Sequence, residues 1–314
     1  MCPPLLRSSR LLGLAAVLSM PSLAASQSPP VTIHAARLLD GRGFAIDNAL
    51  ITVGNGRITR VESAAGNVQA TYELKNLTLL PGLIDAHAHV TWYFNRLGRY
   101  QSGRGSGETP QDGVIASEAN AFSTLLGGVT TIQSPGANQD KPLRDRIAAG
   151  EIPGPRILTS LGPLQSQNWT AEQFRAAVRQ RKDSGADFIK IFASGSIRDG
   201  GVQTLNDDQL KAACGEANAV GLRTMVHAHS AESVKASILA GCTQIEHGVF
   251  TNAEDLQLMA ERGTVFDPQC SLVFRNYLDN RAKYDGIGNY NEVGFSSMEK
   301  AMPLAVDVIK RRNY

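Results

Sequence analysis

An α/β protein is predicted, a TIM-like (β/α)8 barrel preceded by a small N-terminal β-sandwich part, on three observations. From Leu83 onward short apolar strands alternate with helix-like segments, the pattern of parallel βα units. Polar residues gather at the C-terminal ends of those strands, the rim where such barrels carry their chemistry. Before that point the rhythm is different, with alternating apolar and polar residues broken by glycine turns. A doubly wound open sheet is the rival, but no glycine-rich phosphate turn follows the first strand.

The chain opens with Arg7 and Arg10 ahead of an apolar run from Leu11 to Met20, followed by Ser22, Ala24 and Ala25. That is the layout of a secretory signal, here residues 1–25, cleaved near Ala24 or Ala25. It predicts a secreted or periplasmic protein. The apolar run is too short to anchor the chain in a bilayer, and no cysteine follows the cleavage region to take a lipid.

Residues 26–82 form the N-terminal part. "VTIHAARLLD", "ALITVGNGRITRVES" and "ATYELKNLTLLPG" alternate in polarity, with turns at Gly41 to Gly43 and Asn55-Gly56, and they read as a small antiparallel β unit. His34 falls here, as a surface or core residue.

Residues 83–314 supply the barrel strands "GLIDAHAHV", "GVTTIQSPG", "PRILTSLG", "DFIKIFASG", "LRTMVHAHS", "TQIEHGV" and "TVFDPQCSL". Helical stretches lie between them, two of which open on the N-caps Thr170 and Asn206 and end near Gly185 and Gly221.

The 31 basic and 29 acidic residues give a formal net charge of +2. Without a basic run interleaved with aromatics, nucleic-acid binding has no support. Once the leader and Cys2 are removed, Cys214, Cys242 and Cys270 remain. They match no zinc spacing, and they read as small core residues rather than a disulfide framework.

The histidines are more informative. Of six, five fall in three short apolar stretches: His87 and His89, His227 and His229, and His247. Side chains at i and i+2 of a strand share a face, and neutral imidazole is the commonest metal ligand. Lys190 stands between Ile189 and Ile191 in a run that otherwise reads as a buried strand. A lysine there either snorkels from the strand end or is desolvated, loses its proton more readily and takes up carbon dioxide. The resulting carbamate is an anion with two oxygens and can bridge two cations.

In this order, "GLIDAHAH", "GVTTIQSPG", "GPRILTS", "GADFIKIFASG", "VHAHS" and "QIEHG" resemble the amidohydrolase superfamily. Within it they are similar to the secreted metal-dependent hydrolases related to imidazolonepropionase and to Xaa-Pro dipeptidases, ochratoxin-hydrolysing amidases included. The resemblance implies a metal-dependent hydrolase barrel with two divalent metal ions, Zn2+ above others. His87 and His89 would hold the first metal, carbamylated Lys190 would bridge to the second, and His227 and His247 would complete that site. His229 matches no required ligand and is assigned to substrate contact. The implied reaction is attack of a metal-bridging hydroxide on an amide carbon, in a dipeptide (Xaa-Pro-like) or an N-acyl amino acid. The expected partner is that small molecule, with room for a homo-oligomer.

The family also places a metal-binding, proton-shuttling aspartate at the end of an eighth strand. No such segment is present, so the barrel is expected to be incomplete, with the eighth strand absent and activity of this form doubtful. Asp85, Asp267 and Asp285 do not stand where that carboxylate should, and Asp85 more simply orients the first strand. The glycine-rich loop "TWYFNRLGRYQSGRGSGETPQDG" and "SGSIRDGG" offer Tyr93 and Arg198 to hold a substrate carboxylate. Two further readings remain at this level. One is a mononuclear cyclic-amide hydrolase of the imidazolonepropionase kind, for which Lys190 is superfluous. The other is a catalytically inactive truncated metal-binding remnant.

Overall fold

The computed structural model describes residues 29–66, 68–100 and 107–310. The signal segment of residues 1–25 lies outside them. Two compact units are present, one ending at Pro81 and one starting at Gly82.

The first unit contains β1 (Val31–Leu39), β2 (Ala45–Gly54), β3 (Arg57–Ser63) and β4 (Tyr72–Leu79). They form one sheet in the order β3-β2-β1-β4. The β1/β2 and β2/β3 pairs are antiparallel, whereas β1/β4 is parallel. This corrects the all-antiparallel reading: β4 returns beside β1 through a longer connection instead of a hairpin. Reciprocal bonds between Thr32 and Thr71 (3.1 and 3.0 Å) fix its entry. Among the described residues there is one layer here, not the two of a sandwich. Asn55-Gly56 does make the β2/β3 turn, with φ of +53° and +70°, as a primed turn requires. Leu38, Ala49 and Ile51 form the small core, and Ala35 is also buried.

His34 is buried in this sheet between two acceptors, Asn48 Oδ1 (2.8 Å) and Glu73 Oε2 (2.9 Å). Bonds to Asn48 and then Glu73 favour the doubly protonated ring and raise its pKa above 6.5, while the same contact lowers Glu73 below 4.5.

The second unit alternates strand and helix throughout. Its parallel strands are β5 (Leu83–Asp85), β6 (Val129–Ser134), β7 (Arg156–Thr159), β8 (Phe188–Phe192), β9 (Arg223–Ala228), β10 (Gln244–His247) and β11 (Val265–Asp267). They pair as β5-β6-β7 and β8-β9-β10-β11. Leu164 joins β8 at the break between the two sheets, donating to Lys190 O (2.8 Å) and accepting from Phe192 N (3.0 Å).

The intervening helices are α1 (Pro110–Leu126), α2 (Asp140–Ala148), α3 (Ala171–Asp183), α4 (Asp207–Ala219), α5 (Ala231–Leu239) and α6 (Ala253–Arg262). After β11 come α7 (Cys270–Asp279), α8 (Arg281–Tyr284) and α9 (Glu292–Lys310). Thr170 and Asn206 cap α3 and α4, each in a reciprocal box with a glutamine three residues on. Such a box satisfies two otherwise orphaned backbone donors. Phe174, Ile189, Ile191, Leu210, Val226 and Ile245 belong to the main core between helices and sheet. No described helix is long and apolar enough to cross a membrane.

The cysteine expectation is overturned. Cys214 of α4 and Cys242, in the turn before β10, form a disulfide with their Cα atoms 5.0 Å apart. One βα unit separates them, and adjacent units stack side by side, so residues remote in sequence become neighbours. Spacing alone could not reveal it.

Asp140 organises the strand ends of the β5-β6-β7 sheet. Fully buried at the start of α2, it accepts from Thr91 Oγ1 and Thr159 Oγ1, both at 3.0 Å.

Two predictions follow from these contacts. Replacing Asp140 by Ala strands two buried hydroxyls and should cost about 1–3 kcal/mol, read from the shift of a denaturant midpoint; an unchanged midpoint would refute the organising role. In the first unit, the His34 contribution is complete below about pH 6.5 and fades as pH rises through its raised pKa, whereas the Glu73 contribution fades as pH falls below about 4.5. An NMR titration should therefore place His34 above 6.5, and Glu73→Gln should bring it down.

Candidate metal centre

A cavity of about 480 Å³ opens at the C-terminal ends of the second unit's strands, and His87, His89, Lys190, His227, His229 and His247 all line it. The imidazoles form a connected group. Ring centroids are 5.3 Å apart for His87/His89, 5.4 Å for His87/His247, 4.7 Å for His227/His247 and 4.6 Å for His227/His229.

His87 and His89 lie beyond the end of β5, so a shared strand face is not what unites them. Asp85 Oδ1 accepts the His87 amide at 3.0 Å, and Ala88 N donates to Gln133 O at 2.9 Å. The two rings then turn their Nε2 atoms toward each other, 3.4 Å apart. Two nitrogens bound at about 2.0–2.1 Å to one tetrahedral ion stand roughly 3.4 Å apart, so this spacing suits a cation.

His227 Nε2 faces Gly195 O at 3.3 Å, which leaves Nδ1 free. At the end of β10, His247 has φ +69° and Gly248 φ +49°. A Cβ at Gly248 would stand 2.5 Å from the Phe266 ring and 2.6 Å from Thr251 Oγ1. Only glycine fits this turn, and "HG" is the local sequence that sets the His247 ring over the cavity.

Of the two readings of Lys190, burial rather than snorkelling is what the strand shows. It is 1% exposed in the middle of β8, and its Nζ has no hydrogen-bond partner. Burial lowers its pKa, opposed by the charges of Glu246 and Asp267. Burial likewise drives His87, His89, His227 and His247 well below 6.5 and His229 to about 3. An orphaned amine among neutral imidazoles is a donor set that fits divalent cations.

Glu246 escaped sequence reasoning, which weighs Asp267 only as a stand-in for the eighth-strand carboxylate. Glu246 is fully buried and meets His87 Nδ1 at 2.5 Å, Gln244 Nε2 at 2.6 Å and Gln269 Nε2 at 3.2 Å. Asp267 is raised to about 6, chiefly by burial and then by the charge of Glu246. Donor atoms of His87, Glu246 and Asp267 lie within 4.8 Å of one another. An ion does not fit between His87 Nδ1 and Glu246, because two donors bound at about 2.0–2.2 Å stand roughly 3 Å or more apart. That contact is a hydrogen bond, and the cation side of His87 is Nε2. The signal that singled out Lys190, a charge inside an apolar strand, was equally present at Glu246.

Trp92 stacks on His89 with centroids 3.6 Å apart and planes 9° from parallel. Arg198 lies against the far wall, its Nε donating to Asn289 Oδ1 (2.6 Å) and its guanidinium 4.0 Å from the Tyr290 ring centroid. Tyr93 is a correction. It lines a separate cavity of about 540 Å³ between the loop after β5, α1 and α2. Trp92 takes the place against His89, and Tyr93, the next residue, is directed to Gly113 instead.

The amidohydrolase family model matches residues 78–302, and the chain belongs to that family. It is 26% identical over 301 residues to ochratoxinase of Aspergillus niger, covering 80% of this chain and 61% of that protein. With imidazolonepropionase of Pseudomonas putida it shares 27% identity over 269 residues, 74% of this chain and 67% of that protein. A crystal structure of a Xaa-Pro dipeptidase with bound methionine superimposes with a TM-score of 0.75 at 25% identity, over 90% of this chain and 76% of that one. The chain thus spans about three fifths of the length of the ochratoxinase it matches.

The neutral histidines predict an acid response opposite to that of His34. Their folded pKa values lie below 6.5, so the unfolded chain binds more protons below that pH and stability falls as pH drops. Each group contributes a slope of at most about 1.4 kcal/mol per pH unit. Denaturation of the metal-free protein from pH 7.5 to 5.5 should show this steep loss, and a flat profile would contradict the buried neutral cluster.

Proposed function

We propose that this chain is the metal-binding body of a secreted or periplasmic amidohydrolase that cleaves an amide bond in a dipeptide or N-acyl amino acid bearing a free carboxylate. The observation that carries the reading is the Lys190 amine, buried without a partner in a cavity ringed by five imidazoles.

In this reading the amine adds to carbon dioxide, forming an N–C bond and releasing a proton. Carbamylated Lys190 together with His87, His89, His227 and His247 would hold two divalent cations, zinc by choice of donors. Such cations, when bound, acidify a water and polarise the scissile carbonyl. The chain's own groups do the rest. Arg198, fixed by Asn289 and Tyr290, keeps its terminal nitrogens for a carboxylate, and neutral His229, Nδ1 unpartnered, contacts the substrate. Seven parallel strands in sequence order among the described residues support a (β/α)8-type barrel. The disulfide supports an oxidising compartment. The rival mononuclear reading has no use for Lys190.

Metal analysis after zinc loading tests the bridge: two ions per chain should fall to one or none in Lys190→Ala. Equal content in both proteins would remove Lys190 from the site, and one ion in both would favour the mononuclear rival. For specificity, N-acyl amino acids should outpace their carboxamides about 10- to 100-fold in kcat/KM, the value of a charge-assisted hydrogen bond. Arg198→Lys should erase most of that difference; equal turnover of acid and amide by the wild type would refute carboxylate recognition.

A further inference from the structure

We propose that Glu246 is a positioning residue, a buried carboxylate that holds His87 as the Nδ1–H tautomer and so turns its Nε2 lone pair toward His89. The inference deepens the reading above, in which those two rings hold a cation.

Four groups converge on this carboxylate. Gln244 Nε2 donates to one oxygen at 2.6 Å, and Gln269 Nε2 donates to the other at 3.2 Å. Both oxygens therefore serve as acceptors, and the remaining short contact, 2.5 Å to His87 Nδ1, is completed by a proton on the imidazole. Asp267, at the end of β11, has a carboxylate oxygen within 4.8 Å of the same group. With Nδ1 protonated, Nε2 of a neutral ring carries the lone pair, and it is this atom that stands 3.4 Å from His89 Nε2. Without an acceptor at Nδ1, the ring would return to the intrinsic preference of neutral histidine for the Nε2–H form, which presents N–H and not a lone pair to the cation.

The supporting groups are assembled from two strands. Glu246 and Gln244 sit on β10, Asp267 and Gln269 at the end of β11, while His87 follows β5. The carboxylate thus ties the first histidine to the opposite end of the strand series. Gln269 reaches it from a left-handed residue with φ +46°, a conformation uncommon outside glycine and asparagine.

Histidine ¹⁵N NMR of the metal-free protein tests the tautomer directly, with His87 assigned by His87→Ala. Wild type should show His87 as Nδ1–H. Glu246→Ala should shift it toward Nε2–H, and Glu246→Gln, whose amide oxygen can occupy the same position, should restore Nδ1–H. Zinc affinity measured by chelator competition should fall about 10- to 100-fold in Glu246→Ala, the usual effect of losing such a partner, and less in Glu246→Gln. An Nε2–H signal for His87 in wild type would overturn the proposal, as would unchanged tautomer and affinity in Glu246→Ala. Should the alanine variant fail to fold, Glu246→Gln still decides through the wild-type tautomer and its own zinc affinity. Wild-type zinc binding by His87→Ala would refute the cation reading alone, because the tautomer signal is read without metal.

Discussion

Desolvation of charge at the strand ends is the constraint around which the second unit is arranged. Taking an ammonium from water into a protein interior costs several kcal/mol even after relaxation, and Lys190 is placed in mid-strand without an acceptor. The strand carrying it is flanked by Ile189 and Ile191 in the best-buried part of the core, so it cannot swing out to water. Glu246 on β10 and Asp267 on β11, beyond β9 in the same sheet, offset part of the penalty. The histidines answer the same constraint differently, by giving up their protons. A site that is a strained collection of groups when empty is well matched to ions that take lone pairs from all of them.

That arrangement shows why parts of the molecule could be read from sequence. Alternation of strand and helix, the caps Thr170 and Asn206, and the Asn55-Gly56 turn each depend on local chemistry, and each appears where the local residues put it. Lys190 and the five histidines stood out because their chemistry conflicts with the apolar runs that contain them. Glu246 conflicts in the same way but is adjacent to His247, and the more familiar metal ligand drew the reading. Tyr93 was misplaced because the direction of a side chain in an irregular loop is set by packing, here by which aromatic covers His89. The disulfide and the parallel β1/β4 pairing depend on contacts between distant segments, to which local patterns are blind.

Similarity to ochratoxinase, imidazolonepropionase and a Xaa-Pro dipeptidase agrees with this division. At identities of 25–27%, these proteins share a framework while their names point to different amides. In this chain the cavity floor is built of imidazoles and a lysine at the strand ends. Its wall is made by Trp92, Arg198, Asn289 and Tyr290, all from loops or short turns. Loops on a rigid scaffold are where substrate choice ordinarily resides.

The stacking of Trp92 on His89 has an optical consequence. The chain has two tryptophans, and the other, Trp169, lies away from the cavity against Phe174, 5.4 Å between ring centroids. An indole in face-to-face contact with an imidazole is quenched by excited-state electron transfer to an extent that depends on whether the ring is neutral, protonated or bound to an ion. The native fluorescence of this protein therefore carries a readout of occupancy at His89 from within the site, against the steady background of a second indole outside it, with no label attached.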